Sequence, residues 1–377
     1  MSIGRDDDGG KMKTALRVLA WNVALLLLTL VAVELAFGRW FEAVSRPNLW
    51  QLSIYRDVDW KMSTAGKYPR AEPARYRRDH YGFRGDYGQP GDIRLLVLGG
   101  STTDERFIAE GETWTDVFDR CLAEQGRPTA IANAAVAGQS SRGHIRNFDV
   151  WLNHVDGLRP ERVLVYLGVN ERLLEGRLSE DDVQAYNESG LPLWLEKLRQ
   201  KSALYALINV IKGNLLAWRS GVHHLGEQTP QLGTERIDQA FVDAPRLTLD
   251  SAEIRDGRTQ LRAANAADLN AYGQRLDVLI GKIRQMGAEP LLVTQNSGTY
   301  RLERGGVRGD LAEYVHMAEV NAVTLEACRR HAVICLDLAS LLEFGDGDFY
   351  DNVHTTPAGS RKVGQAMCWE YLKALRP

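Results

Sequence analysis

LLVLGGSTTDERF, residues 95–107, runs four apolar residues into two glycines, a serine and two threonines, then turns charged. A short apolar run closed by turn residues is the pattern of a strand buried on both faces, and Ser-Thr-Thr behind it is the chemistry of a helix start. Ser101 therefore stands at a strand-to-helix turn, and three roles compete for it. A phosphate-cradling loop needs GxxxxGK[ST] or GxGxxG, and GGSTTDER has neither spacing and no lysine. A helix cap needs only a hydroxyl that satisfies free amides. A nucleophile needs more: a base for its proton, a group that orients the base, and donors for the developing oxyanion. Cap and nucleophile are compatible, because a helix start surrounds the hydroxyl with N–H groups that can hold an anion.

The same strand-then-helix pattern recurs downstream. TWTDVFDRCLAEQG has helical spacing with Gly126 as its stop, TAIANAAVAG reads as a second strand and loop, and a helix is expected around 143–156. RVLVYLGVNE, AEPLLVTQNS and AVICLDLAS are three further buried strands, with long helices at ADLNAYGQRLDVLIGKIRQMG, LAEYVHMAEVNAVTLEACRRH and TPAGSRKVGQAMCWEYLKALRP. This alternation predicts a parallel sheet covered by helices on both faces, with ligands at the carboxyl ends of the strands. Residues 172 to about 257 break the pattern: an amphipathic stretch, LPLWLEKLRQKSALYALINVIKGNLLAWR, precedes a polar one. They are expected to form a helical insertion, a lid over the site in preference to docking on a membrane surface or plain packing.

The strand ends supply what Ser101 lacks. The second strand ends at Gly138, whose amide can approach a substrate without an intervening side chain. The third ends at Gly168, and two residues on comes Asn170, a side-chain amide suited to an oxyanion. Near the C-terminus DFYDNVHTTPAG sets Asp351 three residues before His354, so that the carboxylate can hold one imidazole nitrogen while the other faces a serine. Each taken singly has a bland reading: a turn glycine, a loop cap, a surface pair. Their occurrence together, in order along one alternating pattern, argues for acyl-transfer chemistry.

In the blocks VLGGSTT, NAAVAGQSS, YLGVNE and DNVHTTPAG the sequence resembles the SGNH (GDSL-type) hydrolase family, over roughly residues 78–373. HYGFRGD and VNAVTLEACRRHAVICLDLAS are similar to segments of bacterial members carrying an N-terminal anchor. The resemblance implies a three-layer α/β/α sandwich with a parallel sheet of about five strands, SGNH/flavodoxin-like. It implies Ser101 as nucleophile, His354 as base and then acid, and Asp351 orienting the imidazole. The oxyanion hole would be the N–H groups of Ser101 and Gly138 with the Asn170 side chain. Gly100 stands where many members have Asp, and Glu171 where Asp is frequent; both bear on subfamily and substrate. Gly168, Tyr300 and Arg301, with Arg304, are candidate substrate contacts beside the sheet's site end. Neither metal nor organic cofactor is required.

Other candidates carry less. GQSSRG has one residue too many for the nucleophile elbow, which makes Ser140 a decoy. His223 and His224 are adjacent and lack a ligand set. Arg142, His144 and Arg146 are expected at a solvent-facing helix start.

Composition bounds the rest. The 377 residues, 44% hydrophobic, can fill a large core, and 46 Lys and Arg against 49 Asp and Glu give a charge of -3. A chain so balanced carries no global field that would draw nucleic acid. At the N-terminus Lys11, Lys13 and Arg17 precede a run from Val18 to Phe37 broken by one acid, Glu34. About 20 such residues at ~1.5 Å each match a hydrocarbon core of ~30 Å. The expected layout is a cytoplasmic N-terminus (1–14), a transmembrane anchor (15–37), a connector without sustained periodicity (38–90) and the catalytic domain (91–377). The basic residues predict that the domain lies outside the cytoplasm. A cleaved signal peptide is the rival, weakened by the length of the run. Cys121, Cys328, Cys335 and Cys368 would then lie where disulfides persist, with three complete pairings open and simple burial as the alternative. The expected activity is ester hydrolysis on an acylated carbohydrate or lipid. An O-acyltransferase using the same residues and a non-catalytic binding protein are the alternatives, and the oligomeric state stays open.

Overall fold

A computed structural model of the chain describes residues 7–38, 40, 54–171, 202–205, 207, 208, 211 and 244–376. It divides into two compact units, one of Met1–Ser45 with Gly190–Gln228 and one of Arg46–Ser189 with Thr229–Pro377. In the first, helix α1 (Asp7–Phe37) contains the segment Lys13–Phe37, 25 residues long and apolar enough to cross a membrane, with Trp21 and Leu28 among its exposed side chains. Glu34, the acid inside the apolar run, accepts hydrogen bonds from the main-chain N–H groups of Ala203 (3.0 Å) and Leu204 (3.1 Å).

The second unit is built on five parallel strands: β3 (Leu95–Gly99), β4 (Ile131–Asn133), β5 (Arg162–Tyr166), β7 (Glu289–Val293) and β10 (Ile334–Leu336). Their order across the sheet is β10-β7-β5-β3-β4. Each strand is apolar on both faces, so successive side chains enter opposite cores, as the period of two requires. Leu96 and Leu98 of β3 with Val163 and Val165 of β5 meet helices α4 (Ser141–Val150), α6 (Ala266–Gln285) and α7 (Leu311–His331). Leu95 and Val97 with Leu164 and Tyr166 meet α3 (Trp114–Glu124) and α9 (Pro357–Ala374). The fold is thus a three-layer α/β/α sandwich. In sequence order the five strands run second, first, third, fourth, fifth across the sheet, so the order reverses between β3 and β5. A crevice outside the strand ends opens at such a reversal.

The stretch expected to lack regular structure contains a hairpin, β1 (Val58–Met62) antiparallel to β2 (Ala74–Arg78). Ala74, Tyr76 and Arg78 point inward and Arg75 and Arg77 outward. Its alternation is hidden in sequence because one inward position is an arginine. Arg78 is buried among Asp104 (2.7 Å) and the Tyr76 hydroxyl (2.6 Å), which compensate its charge.

Most of the expected insertion, residues 172 to about 257, lies outside the described residues, as do His223 and His224. Its end is ordered into the second unit: β6 (Leu247–Thr248) joins the hairpin β8 (Tyr300–Glu303) and β9 (Gly306–Gly309). Helix α5 (Ala252–Ala264) sets Arg258 and Arg262 on the buried Glu319 of α7, each at 2.6 Å.

All four cysteines are paired, Cys121–Cys368 joining α3 to α9 and Cys328–Cys335 joining the end of α7 to β10, with sequence separations of 247 and 7. Cross-linking removes more denatured-state entropy from a longer loop, so breaking the first by paired Cys→Ser substitution should cost ~2–5 kcal/mol and the second less. Chemical denaturation of the two double variants measures the difference.

Candidate active site

Three blocks of the site follow strand ends, and the fourth lies in the loop ahead of the last helix. β3 delivers Ser101 as the first residue of a one-turn helix, α2 (Ser101–Asp104), with Gly100 as its cap. β4 leads to Gly138 at φ 80°, a left-handed conformation that suits glycine, and then to α4, where Ser140 caps the helix by accepting from Arg142 N–H. β5 leads to the turn Val169–Glu171, which carries Asn170. The loop before α9 carries Asp351 and His354.

The structure joins three of these side chains in a row. Ser101 Oγ lies 2.8 Å from His354 Nε2, and His354 Nδ1 lies 2.7 Å from Asp351 Oδ2. The other Asp351 oxygen accepts from the main-chain N–H groups of Val353 (2.9 Å) and His354 (2.7 Å), so the loop folds back onto its own carboxylate. Burial works against the charge of Asp351, but the His354 hydrogen bond and ion pair and the two main-chain donors win, and its pKa falls below the ordinary 3.8. An ionised Asp351 holds the proton of the imidazole on Nδ1, which leaves Nε2 free to accept from the serine hydroxyl. The Tyr350 ring stacks on the imidazole, centroids 5.6 Å apart, and limits its tilt.

Asn170 Nδ2 donates to the Gln139 carbonyl at 2.9 Å, so the amide reaches from the β5 turn toward the glycine block. It also passes close over Gly100: a Cβ there would fall 2.2 Å from Asn170 Nδ2. That contact gives the Gly100 departure its physical reason, since no side chain fits beneath Asn170 as it lies here. The main-chain N–H groups of Ser101 and Gly138 donate to no other main-chain group among the described residues. Glu171, the second departure, is buried and uses its extra methylene to reach Ser141 on α4, accepting from its hydroxyl at 3.0 Å, and meets Arg275 of α6 at 3.1 Å. Burial raises the Glu171 pKa.

The candidate substrate contacts are packed within the fold. Gly168 is packed against Met317 and Gln295 at φ 148°. Tyr300 and Arg301 are both buried on β8; the tyrosine hydroxyl donates to Asn296 Oδ1 (3.0 Å), and Arg301 donates to the Gly298 carbonyl (2.8 Å). Gly298 N–H in turn donates to the Asn352 carbonyl (2.7 Å), so Arg301 backs the loop that carries His354. His144, expected at a solvent-facing helix start, is fully buried instead, with neither ring nitrogen hydrogen-bonded among the described residues and its pKa lowered to about 4 by burial. The helix start faces inward because α4 packs against α6. Sequence reading passed over Gln295, which donates to Thr102 Oγ1 (2.6 Å) and accepts from Val169 N–H (3.1 Å), tying the serine turn to the asparagine turn. Nothing in its local pattern distinguishes it from any residue ending a strand. Among the described residues no group of His, Cys, Asp and Glu has a metal-binding arrangement.

Comparison with known proteins places this geometry in context. Solved structures similar to this chain include TesA (12% identity, 74% of this chain and 99% of that one, TM-score 0.39). The acetyl xylan esterase AlAXEase gives 12% identity over 74% of this chain and 99% of that one, with a TM-score of 0.39. The psychrotrophic esterase EstA from Pseudoalteromonas sp., inhibited by monoethylphosphonate, gives 12% over 74% and 96%, with a TM-score of 0.38. A search of curated proteins found no match. The profile of the GDSL-like Lipase/Acylhydrolase family matches residues 97–362, which span every strand of the parallel sheet from within β3 onward. The chain belongs to the GDSL-like lipase/acylhydrolase family and is a serine hydrolase of ester bonds.

Proposed function

We propose that the protein is a membrane-anchored esterase that removes acyl or O-acetyl groups from carbohydrate or lipid outside the cytoplasm, with Ser101, His354 and Asp351 as its catalytic triad. The observation that carries this reading is the unbroken row Ser101 Oγ, His354 Nε2, His354 Nδ1 and Asp351 Oδ2, with contacts of 2.8 and 2.7 Å. Ser101 Oγ attacks the ester carbonyl as His354 Nε2 takes its proton, and Asp351 stabilises the imidazolium. The negative charge on the carbonyl oxygen is held by the N–H groups of Ser101 and Gly138 and by Asn170 Nδ2. Collapse expels the alcohol, which receives the proton from His354. A water molecule then repeats the sequence on the acyl-enzyme and returns free Ser101 and the acid. Two disulfides and the basic residues Lys11, Lys13 and Arg17 ahead of the apolar run support the extracytoplasmic location.

Labelling with a fluorophosphonate probe, followed by assays on acetylated sugars and short acyl esters with and without an acceptor glycan, tests the proposal. Labelling that survives in Ser101→Ala would refute the nucleophile, and transfer outrunning hydrolysis would refute the esterase reading. Asn170→Ala should reduce kcat by ~10²–10³ with KM little changed, because the amide is needed where charge develops and not where the substrate merely rests. Steady-state kinetics on the best ester checks this.

A further inference from the structure

Glu105 lies in the opening stretch, four residues beyond Ser101, and the chemistry above does not use it. It is buried, 4% exposed, at φ 45° and ψ 46°, a left-handed conformation that disfavours a side chain. Its main-chain N–H donates to the Ser101 carbonyl at 2.9 Å and closes the nucleophile's turn. Its carboxyl accepts from three donors on other elements: Thr355 Oγ1 (3.0 Å), Trp114 N–H at the start of α3 (2.7 Å) and Ser360 Oγ on α9 (3.0 Å). Thr355 directly follows His354 in the chain. One residue therefore grips the serine turn with its backbone and the histidine loop with its side chain. A left-handed glutamate is a costly choice where glycine would sit without strain, and it persists where the surroundings use the side chain.

We propose that Glu105 is a positioning residue that holds Ser101 and His354 in register, resting on the reading of Ser101 and His354 as nucleophile and base. Thr355 and Ser360 can keep their bonds in either charge state. When the acid is neutral its O–H can donate to Ser360 Oγ, which has a second acceptor in the Glu112 carbonyl at 3.2 Å. Burial pushes the carboxyl up to about 8, against the pull of the Trp114, Ser360 and Thr355 donors and of Arg84. The Arg84 guanidinium lies nearby, with Nη1 3.2 Å from the Glu105 main-chain carbonyl oxygen, and the phenols of Tyr68, Tyr166 and Tyr350 also feel the carboxylate's charge. An acid held above its ordinary 4.5 costs stability as pH rises from about 4.5 to about 8.

The test uses the full-length chain, with fluorophosphonate labelling rate, steady-state ester kinetics and melting temperature measured from pH 5 to 9 for wild type, Glu105→Gln and Glu105→Gly. Glu105→Gln, which keeps a side-chain oxygen for the Trp114, Ser360 and Thr355 donors, should label near the wild-type rate at pH 7 and melt progressively higher than wild type as pH rises toward 8. Glu105→Gly relieves the backbone strain yet loses the carboxyl. It should stay folded, with kcat and labelling rate lowered at least tenfold and KM within about twofold. Labelling and turnover by Glu105→Gly at the wild-type rate would overturn the proposal alone. A wild type that never labels at Ser101 would overturn the serine mechanism and this proposal with it.

Discussion

His354→Ala is expected to lower kcat/KM for ester hydrolysis by ~10⁴-fold or more, because it removes the acceptor for the serine proton and the donor for the leaving alcohol together. Ser101 Oγ has its hydrogen-bond partner in His354 Nε2 at 2.8 Å, and without it the hydroxyl keeps its ordinary weak nucleophilicity. What activity remains should come from the oxyanion donors and substrate binding. The fold should survive, since His354 is half-buried in a loop and contributes to neither main core. Turnover of a short acyl ester, read beside the melting temperature, measures both. Activity within tenfold of wild type in a folded variant would remove His354 from the mechanism.

Asp351→Asn should cost about 10³–10⁴-fold in kcat, severe but short of losing the base itself. The carboxylate uses both oxygens: Oδ2 takes the imidazole Nδ1–H, and Oδ1 takes two main-chain N–H groups. An asparagine has one oxygen for three donors. If that oxygen keeps the main-chain pair, the amide NH₂ faces Nδ1 and donates to it, which forces the ring proton onto Nε2 and blocks acceptance from Ser101. The pH profile adds a second check. Since Asp351 is held below its ordinary 3.8, it stays ionised across the working range, and an acidic limb of kcat/KM above pH 5 should not report its protonation. A full-activity Asp351→Asn variant with an unaltered profile would leave the carboxylate without the orienting role argued for it.

The parallel sheet was legible because its strands are buried on both faces. LLVLG and RVLVY are nearly unbroken apolar runs, and each ends in the glycine or small polar residues that a turn above a sheet requires. Ser101, Gly138 and Asn170 were picked out because they follow such strand ends, where chemistry can gather, and Asp351 and His354 because a carboxylate stands three residues before an imidazole in the loop ahead of the last helix. The hairpin β1–β2 was not, because one inward position is Arg78 and its compensation by Asp104 comes from 26 residues away. His144 was misjudged on similar grounds: a histidine between two arginines reads as solvated until α6 is seen to cover it.

Sequence alone determined the order of the five parallel strands and the long helices that cover them, the anchor-like α1, and which side chains have the chemistry to act together, because hydrophobic period and residue type are local properties. Only the tertiary structure decided which carboxyl meets which donor. It closed a gap of 253 residues between Ser101 and His354, paired the four cysteines two by two, and turned Glu105 from one charge in the run DER into a buried link between the serine turn and the histidine loop. Such contacts depend on the packing of elements distant in sequence, and a hydrogen bond across that distance leaves no mark on the pattern around either partner.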